Sequence, residues 1–197
     1  MCTLIVRRLR FPRLRFIVDS SVMKSSRSFP VCPSLPDTSQ TIRFYSTHNP
    51  WGEFSNFALF PIHLGGRTWP TSEHYFQAQK FSDRTYQEKI RHTKSPGEAA
   101  WLGRSRSKPL RRDWERVKDD IMYQAMMAKF IQHEYLRELL LSTGGAMLVE
   151  HTHNDDYWGD GGDGGDGSGK NRLGMTLMKV RETLRKKEES RHSPACD

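Results

Sequence analysis

The strand and helix signals between Thr41 and Leu184 follow one another in an irregular order, and this order limits the fold more than any other feature. TIRFYS, starting at Thr41, predicts a short strand, FALFPIHLGGRTWP predicts a hairpin that turns at Gly65 and Gly66, and MLVEH predicts a short buried strand much further along. A doubly wound parallel sheet needs regular β-α alternation, which this chain lacks. The sequence therefore predicts an α+β fold: a mostly helical single domain with a small β-hairpin or sheet.

Residues that favour helix starts and ends mark out the predicted helices. The first helix is expected to begin at Pro70, Thr71 or Ser72 and to run through SEHYFQAQKF. Ser95, Pro96 and Glu98 form a capping box that starts a second helix through AAWLG. Asp113 stands before a third, whose apolar residues have helical spacing from Trp114 to Phe130. A further helix, YLRELLLST, is predicted to end at Gly144 and Gly145, and a last one to run from Asn171 to Leu184.

The two ends of the chain differ in composition from the middle, so we predict three parts. Residues 1–40 are expected to be a basic disordered or transit-like leader, residues 41–186 the folded domain, and residues 187–197 a disordered C-terminal tail. No apolar run is long enough to cross a bilayer. We expect a cytoplasmic protein, or a mitochondrial or plastid one if the leader is a true transit peptide.

The formal net charge of +8 is concentrated in the leader. Residues 1–38 contain seven Lys or Arg against two Asp, so the rest of the chain is only mildly basic. The charge balance therefore allows a nucleic-acid groove in the domain but does not demand one. The three cysteines, Cys2, Cys32 and Cys196, also lie in the end segments, so neither a disulfide framework nor a cysteine metal site holds the folded part together.

The segment HNDDYWGDGGDGGDGSGKNRLG, residues 153–174, partly matches three known binding loops. Gly164, Gly169 and Lys170 have the spacing of a P-loop, but Asn171 stands where a Ser or Thr hydroxyl would bind magnesium. The aspartates recur at every third position without the terminal Glu of an EF-hand, and one Gly-Asp nonapeptide cannot stack into a calcium-binding roll. We therefore predict no metal site.

What remains is a flexible Gly-rich loop that carries carboxylates and the aromatic pair Tyr157 and Trp158. The helix start that follows offers backbone N–H groups to a phosphate, and Lys170 and Arg172 add positive charge beside it. The alternative is a solvated Gly-Asp linker. Solubility alone does not explain a tryptophan among the carboxylates, which favours a functional loop.

The segment TSEHYFQAQKF brings three polar side chains to one helix face. Glu73, Gln77 and Lys80 stand at i, i+4 and i+7, so a carboxylate, an amide and an amine share one stripe. The alternative is an exposed Glu-to-Lys face of the kind common on surface helices. Helical phase places His74 off this stripe, which favours a structural role for it over catalysis.

Seven long motifs, in one order, carry a resemblance to a known family: FYST, FSNF, TWPTSEHYFQAQKF, GRSRSKPLRRDWE, AKFIQHEYLRELLLST, LVEHTHNDDYWGDG and GKNRLGMTLMKVRETL. The chain resembles the YbiA-like (NADAR) family of N-glycosidases from about Ile42 to about Leu184. The leader and the last dozen residues lie outside the resemblance. The loop WGDGGDGGDGSGKN is longer than the family's usual form by about one Gly-Gly-Asp unit.

The resemblance implies hydrolysis of the N-glycosidic bond in ribosylamino-pyrimidine phosphates, intermediates of riboflavin biosynthesis, without cofactor or metal. Relatives in the same superfamily look like ADP-ribose processing enzymes, including some that remove ADP-ribose from guanine. Both substrate types join an exocyclic amine to ribose C1. Cleavage needs a proton for the departing amine, stabilisation of positive charge at C1, and water or an enzyme nucleophile.

The resemblance also assigns roles to residues of this chain. Glu73 is implied as the main acid/base carboxylate, and Asp155 or Asp160 as the group that activates water or holds ribose hydroxyls. Lys80 permits a second route, in which it displaces the amine through a Schiff base. The candidate substrate-binding residues are two stacking tryptophans, three basic residues for the phosphate and five further pocket residues: Trp114, Trp158, Arg104, Arg106, Lys108, Asn56, His74, Lys170, Asn171 and Arg172.

Three functions stay open from the sequence. The first is a hydrolase of phosphorylated ribosylamines, the second an ADP-ribosyl hydrolase acting on ADP-ribosylated guanine or a nucleotide, and the third a non-catalytic module that binds ADP-ribose or nucleic acid. The expected partner is a phosphorylated ribosylamine or ADP-ribosylated guanine in nucleic acid, with no membrane and no obligate protein partner. A binding module has no need of Glu73, which favours the first two.

Overall fold

The computed structural model describes residues 40–162 and 168–192. Within these ranges the elements are β1 (Thr41–Phe44), β2 (Ile62–Leu64), β3 (Arg67–Trp69), α1 (Ser72–Gln79), α2 (Arg84–Arg91), α3 (Pro96–Arg104), α4 (Trp114–Gln132), α5 (Glu134–Ser142), β4 (Met147–Glu150) and α6 (Arg172–His192). The predicted leader up to residue 39, the last five residues of the predicted tail and the P-loop-like Gly164 lie outside the described residues. The predicted α+β class, with more helix than strand, is confirmed.

The strands form two small two-stranded sheets. β1 pairs in parallel with β4, and the register places Ile42 opposite Leu148 and Phe44 opposite Glu150. β2 and β3 form the predicted hairpin, in which Gly65 and Gly66 have φ of 62° and 73°. Two successive positive φ values are those of a type I′ turn, which glycine adopts without strain. The sequence predicted each strand but not the long-range pairing of β1 with β4.

The predicted caps open two of the helices. Thr71 Oγ1 accepts a hydrogen bond from the His74 backbone N–H at α1, and Ser95 Oγ accepts one from the Glu98 N–H at α3. Asp113 stands at the N-cap of α4, but its carboxylate binds the Arg111 guanidinium at 2.6 Å instead of a helix N–H. α2 was not predicted, because it is short and strongly polar.

The last helix runs further than the sequence pattern indicated. α6 ends at His192, so residues 187–192 are helical where a disordered tail was predicted. Two ion pairs lie at the start of this extension: Lys186 pairs with Glu182 one turn earlier, and Glu188 pairs with Arg137 of α5 at 3.5 Å. In residues 40–162 and 168–192, no helix combines the length and apolarity that a bilayer crossing requires.

The hydrophobic core packs around α1, which α2, α3 and α4 enclose. The core includes fully buried side chains from β2, β3, α4, α5, β4 and connecting segments: Phe54, Ile62, Trp69, Phe81, Met126, Phe130, Leu136, Leu140 and Leu148. Burying one such side chain stabilises the fold by about 1.5–3 kcal/mol. Because α1 is enclosed, all of its residues from Ser72 to Ala78 are buried, polar ones included.

Candidate active site

A cavity of about 350 Å³ opens beside α1. Its wall contains side chains from the loop after β1, α1, α3, α4, β4, the loop after β4 and α6: Tyr45, Asn56, Phe57, Glu73, Phe76, Gln77, Lys80, Arg104, Met122, Glu150, Thr152, Asn154, Asp155, Trp158 and Leu173. Small-molecule sites have volumes of about 300–1,000 Å³. The cavity is thus large enough for a compact ligand and is rich in charged groups.

The stripe of Glu73, Gln77 and Lys80 lies on the wall of this cavity. Helical spacing aligns the three side chains, and the packing of α1 buries the first two almost fully, at 3% and 6% exposed. The stripe is therefore not the exposed Glu-to-Lys face that was the alternative from the sequence. Burial makes these polar groups depend on each other for hydrogen bonds.

Both carboxylate oxygens of Glu73 accept hydrogen bonds from amide groups. Gln77 Nε2 donates to Oε1 at 2.6 Å, and Asn56 Nδ2 donates to Oε2. Burial raises the pKa of Glu73 to about 7, against the lowering effects of the Gln77 hydrogen bond and of the nearby charges of Lys80 and Arg104. Near neutral pH this carboxyl group therefore exists in both protonation states.

Lys80 stands one turn further along, between aromatic rings and the cavity. Its Nζ lies 5.5 Å from the centroid of Phe76 and 5.7 Å from that of Trp114. Burial lowers the pKa of Lys80, Glu73 opposes this change, and the charges of Arg104 and Arg106 add to it. A lysine in this setting is closer to the neutral, nucleophilic amine than one in water.

The two tryptophans assigned to stacking differ in position. Trp158 lines the cavity and packs edge-on against Phe76, with centroids 5.2 Å apart. Trp114 is 6% exposed, lies outside the cavity lining and packs against the same Phe76 at 5.1 Å. Trp158 can contact a ligand, whereas Trp114 supports Phe76 and Lys80 from behind.

The two aspartates that the sequence left as alternatives are also separated by the fold. Asp155 lines the cavity, and its Oδ1 accepts the N–H groups of Tyr157 and Trp158, both at 2.8 Å, which fixes Trp158 in place. Asp160 does not line the cavity: its carboxylate binds His151 Nδ1 at 2.8 Å and the N–H groups of Thr152 and Gly162.

The pKa of Asp160 reflects that position. Its partial burial acts to raise the pKa, but the hydrogen bonds from His151, Gly162 and Thr152 outweigh it, and the pKa lies below its ordinary value. Asp160 thus organises the loop after β4 as a carboxylate, and of the two aspartates Asp155 is the one positioned to meet a ligand.

Glu150, at the end of β4, is a cavity residue that the sequence did not predict. It is 7% exposed, and its Oε2 is buried without a hydrogen-bond partner in the described part of the chain. Burial raises its pKa to about 8, with further raising effects from the charges of Asp155, Glu73 and Asp160. Strand alternation is the signal that finds it, because Glu150 and the buried Leu148 share one face of β4.

The Asn171 side chain holds the backbone of Glu150 in position. Asn171 adopts a φ of 46° directly before α6, a conformation that asparagine tolerates. Its Oδ1 accepts the Glu150 N–H at 3.0 Å, and its Nδ2 donates to the Leu148 carbonyl at 2.9 Å. Asn171 therefore holds β4 and Glu150 in position and does not line the cavity itself.

Three other candidate residues lie outside the cavity lining. His74 is buried between Thr71 Oγ1, 2.8 Å from its Nδ1, and the Thr93 carbonyl, 3.3 Å from its Nε2. Lys108 pairs with Asp83 at 2.9 Å outside the cavity. Arg106 is exposed and outside the lining, although its charge reaches Lys80.

The remaining basic candidates, Lys170 and Arg172, lie against Tyr157 and not in the cavity. Their charged groups are 5.3 Å and 5.8 Å from its ring centroid, and Arg172 Nε is 3.7 Å from Asp119 Oδ2. Arg104 is the basic substrate-binding candidate in the lining, on the exposed end of α3. The cavity thus gathers Asn56, Glu73, Lys80, Arg104, Asp155 and Trp158 from the predicted set.

Comparisons with known proteins agree with this fold and its motifs. A family model described as the NADAR domain matches residues 43–185. The N-glycosidase YbiA of Escherichia coli (strain K12) is 62% identical over 143 residues, which cover 73% of this chain and 88% of that protein. A riboflavin biosynthesis protein of Vibrio vulnificus (strain YJ016) is 42% identical over 145 residues, covering 74% of this chain and 39% of that protein.

A solved structure also matches. The NMR structure of the E. coli protein YbiA superposes with a TM-score of 0.72 at 56% sequence identity, covering 79% of this chain and 91% of that chain. The resemblance that the motifs indicated is thereby confirmed. The chain belongs to the NADAR domain family, and within it to the N-glycosidases related to YbiA.

Proposed function

We propose that this protein hydrolyses the N-glycosidic bond between ribose 5-phosphate and the exocyclic amine of a ribosylamino-pyrimidine, an intermediate of riboflavin biosynthesis. The observation that carries the proposal is Glu73, a buried carboxyl group with a pKa near neutrality, which lines a cavity of ligand size. The relatives named N-glycosidase support the reaction class, and the relative named for riboflavin biosynthesis supports the substrate class.

The cavity contains the groups that this cleavage requires. As the bond between C1 and nitrogen breaks, positive charge develops at C1, and a carboxylate beside it stabilises that charge. Glu73, held by the amides of Asn56 and Gln77, is suited to this role and to accepting a proton from attacking water. Asp155 lines the same cavity, and we assign it to holding ribose hydroxyls.

The phosphate and the base have separate candidate contacts. Arg104 presents a guanidinium at the exposed end of α3, and the charge of Arg106 lies on the same side, since both act on Lys80. A guanidinium binds phosphate oxygens through two parallel N–H groups. The ring of Trp158, fixed by the Asp155 turn, offers the apolar surface on which a pyrimidine stacks.

Lys80 supports a second route to the same products. Its amine attacks C1 of the ring-opened imine, the pyrimidine amine leaves, and water then hydrolyses the Schiff base between the lysine and the sugar. The lowered pKa of Lys80 favours the neutral amine that this route needs. Both routes release the free base and ribose 5-phosphate, so trapping of the intermediate is needed to separate them.

The test incubates the purified protein with a ribosylaminopyrimidine 5′-phosphate and, separately, with an ADP-ribosylated guanine oligonucleotide, and follows base release by mass-resolved chromatography. We expect release from the first compound, abolished in Glu73→Gln, which removes the titratable proton with little change in shape. Glu138→Gln, the same change at an exposed position of α5, is the matched control and should keep full activity.

Release from the oligonucleotide alone would assign the protein to ADP-ribosyl hydrolysis. Release from neither compound by a folded protein would contradict the proposal. Full activity in Glu73→Gln would remove Glu73 from catalysis.

A further inference from the structure

Glu150 occupies a position in the cavity that the proposed chemistry has not used. It lines the same cavity as Glu73 but reaches it from β4, whereas Glu73 reaches it from α1. Its backbone is fixed at both ends, because its N–H donates to Asn171 Oδ1 and its carbonyl accepts the Asp160 N–H, each at 3.0 Å. The direction in which the side chain leaves the strand is therefore fixed, and burial confines the carboxyl group beside the cavity.

The side chains of Glu73 and Glu150 differ in their hydrogen bonds. Glu73 accepts from two amide groups, which stabilise its carboxylate form. The side chain of Glu150 makes no hydrogen bond with the described residues, and its Oε2 is fully buried. Ionising a carboxyl group in such a place costs more free energy than ionising a solvated one, so the neutral acid is favoured.

The charges that face Glu150 act in the same direction. Asp155 and Asp160 come from the loop after β4 and Glu73 from α1, and all three oppose a further negative charge. Lys80 and Arg104 line the same cavity, where they act on Glu73. The cavity therefore holds one buried carboxyl group whose anion receives hydrogen bonds and nearby positive charge, and a second whose anion receives no hydrogen bond from the described residues and faces three carboxylates.

We propose that Glu150 is the general acid of the reaction and donates its proton to the departing nitrogen, while Glu73 acts on C1 as a carboxylate. This inference rests on the proposed function, because it presupposes cleavage of a C1–N bond in this cavity. It divides between two residues the acid and base roles that the resemblance assigned to Glu73, and Glu150 is a residue that the sequence did not propose.

The proposed reaction has three steps. The C1–N bond breaks, its electron pair stays on nitrogen, and the nitrogen takes the Glu150 proton, which gives a neutral amine and the Glu150 carboxylate. Water adds to the positive C1 and gives one proton to the Glu73 carboxylate. Transfer of that proton from Glu73 to Glu150 through solvent restores both groups, and the net change is the addition of one water across the bond.

A comparison of two substrates with different leaving groups distinguishes a general-acid role of Glu150 from a structural one. An amine needs a proton in order to leave, whereas 4-nitrophenolate leaves as an anion. We would measure kcat/KM of the parent, Glu150→Gln, Glu73→Gln and the control Glu138→Gln on the ribosylaminopyrimidine 5′-phosphate and on ribose 5-phosphate carrying 4-nitrophenolate at C1. Glutamine has the shape and the neutral charge of protonated Glu150, so the variant should fold.

In Glu150→Gln we expect kcat/KM to fall by about 10²–10⁴-fold on the amine substrate, the usual contribution of a general acid, and to stay near the parent value on the nitrophenyl compound. The basic limb of the parent's pH profile should also disappear. Glu73→Gln should lose activity on both compounds, because each passes through positive charge at C1.

Equal losses on both compounds, or no loss on either, would overturn the assignment of Glu150 in an enzyme that is otherwise active. A parent that cleaves neither compound would overturn the proposed function and this inference with it. If Glu150→Gln fails to fold, carbon-13 NMR titration of glutamate carboxyls in the parent decides instead, and a Glu150 that is ionised at pH 7 would refute its role as the acid.

Discussion

The hydrogen bond from Gln77 to Glu73 allows a quantitative prediction. Gln77→Met keeps the length of the side chain but removes the amide that donates to Glu73 Oε1 at 2.6 Å. A hydrogen bond to a charged group contributes about 1.5–3 kcal/mol. Since about 1.4 kcal/mol corresponds to one pKa unit, losing the bond should raise the pKa of Glu73 by about 1–2. The starting value is about 7.

The assay is the pH dependence of kcat/KM, whose acid limb reports the group that must be ionised in the unbound enzyme. We expect this limb to move to higher pH in Gln77→Met. Gln79→Met is the matched control, because Gln79 lies on the same helix but lines a different groove, beside Trp69 and Tyr75. An acid limb that stays in place in a folded Gln77→Met would show that Glu73 is not the titrating group.

Gly103→Ala tests the hydrogen bond from Gln77 to Glu73 by crowding Gln77 from the neighbouring helix. A Cβ at position 103 would overlap the amide of Gln77, which packs against this glycine. The alanine should therefore displace Gln77 and move the acid limb in the same direction as Gln77→Met. Gly97→Ala is the control in the same helix, since a Cβ there meets only Ser95 Oγ, at 3.8 Å. Identical profiles for the two alanine variants would contradict the packing argument.

Three further predictions concern basic residues. Borohydride added during turnover should trap a sugar adduct if the Schiff-base route operates, and Lys80→Ala should abolish the trapping; its absence in the parent would favour direct hydrolysis. Arg104→Gln should raise KM for the phosphorylated substrate by about 10–100-fold, the value of a charge-assisted hydrogen bond, but leave the dephosphorylated one unaffected; equal changes would argue against phosphate binding. Lys129→Met should destabilise the fold, because Lys129 Nζ donates to the Glu53 and Ser55 carbonyls at 2.6 and 2.8 Å. Burial lowers the pKa of Lys129 from 10.5 to about 7, so between these values the folded parent holds fewer protons than the unfolded chain and its stability rises with pH. Denaturant unfolding of parent and variant should therefore differ more at pH 9 than at pH 7, and a constant difference would contradict the lowered pKa.

Local signals in the sequence predicted the elements, because their causes are local. The Gly65-Gly66 turn and the caps Thr71 and Ser95 each act within a few residues, so the hairpin, α1 and α3 follow from the sequence. The parallel pairing of β1 with β4 joins segments about a hundred residues apart, and nothing local specifies it. α2 does have a local signal, because Asp83 caps it by accepting the Tyr86 N–H, but the helix is short and polar and packs against α1 and α3.

The candidate site likewise has features that local spacing predicts and features that only tertiary packing decides. Spacing alone aligned Glu73, Gln77 and Lys80, but only tertiary packing decides that their stripe faces a cavity and not solvent. The sequence left Asp155 and Asp160 as alternatives because the turn geometry after β4 distinguishes them. That geometry places the Asp160 carboxylate against His151 Nδ1. The alternation in MLVE predicts that Glu150 lies on the buried face of its strand. The sequence does not show that a cavity lies beside this face, so it does not identify Glu150 as a site residue.

The order of the two glutamate pKa values then determines how much of the enzyme is in the productive state. Burial raises the pKa of Glu73 to about 7 and that of Glu150 to about 8. Glu73 accepts two amide hydrogen bonds and the buried Oε2 of Glu150 accepts none from the described residues, so loss of the first proton from the pair mainly gives the Glu73 carboxylate beside neutral Glu150. The amides of Asn56 and Gln77 set this order, because they stabilise only the Glu73 anion. Removing either amide raises the pKa of Glu73 towards or above that of Glu150, and the productive form becomes the minor singly ionised species. The maximum of kcat/KM should therefore fall even though neither amide touches the reacting bond, whereas a variant in which only the pH optimum moves would show that the two carboxyl groups act independently.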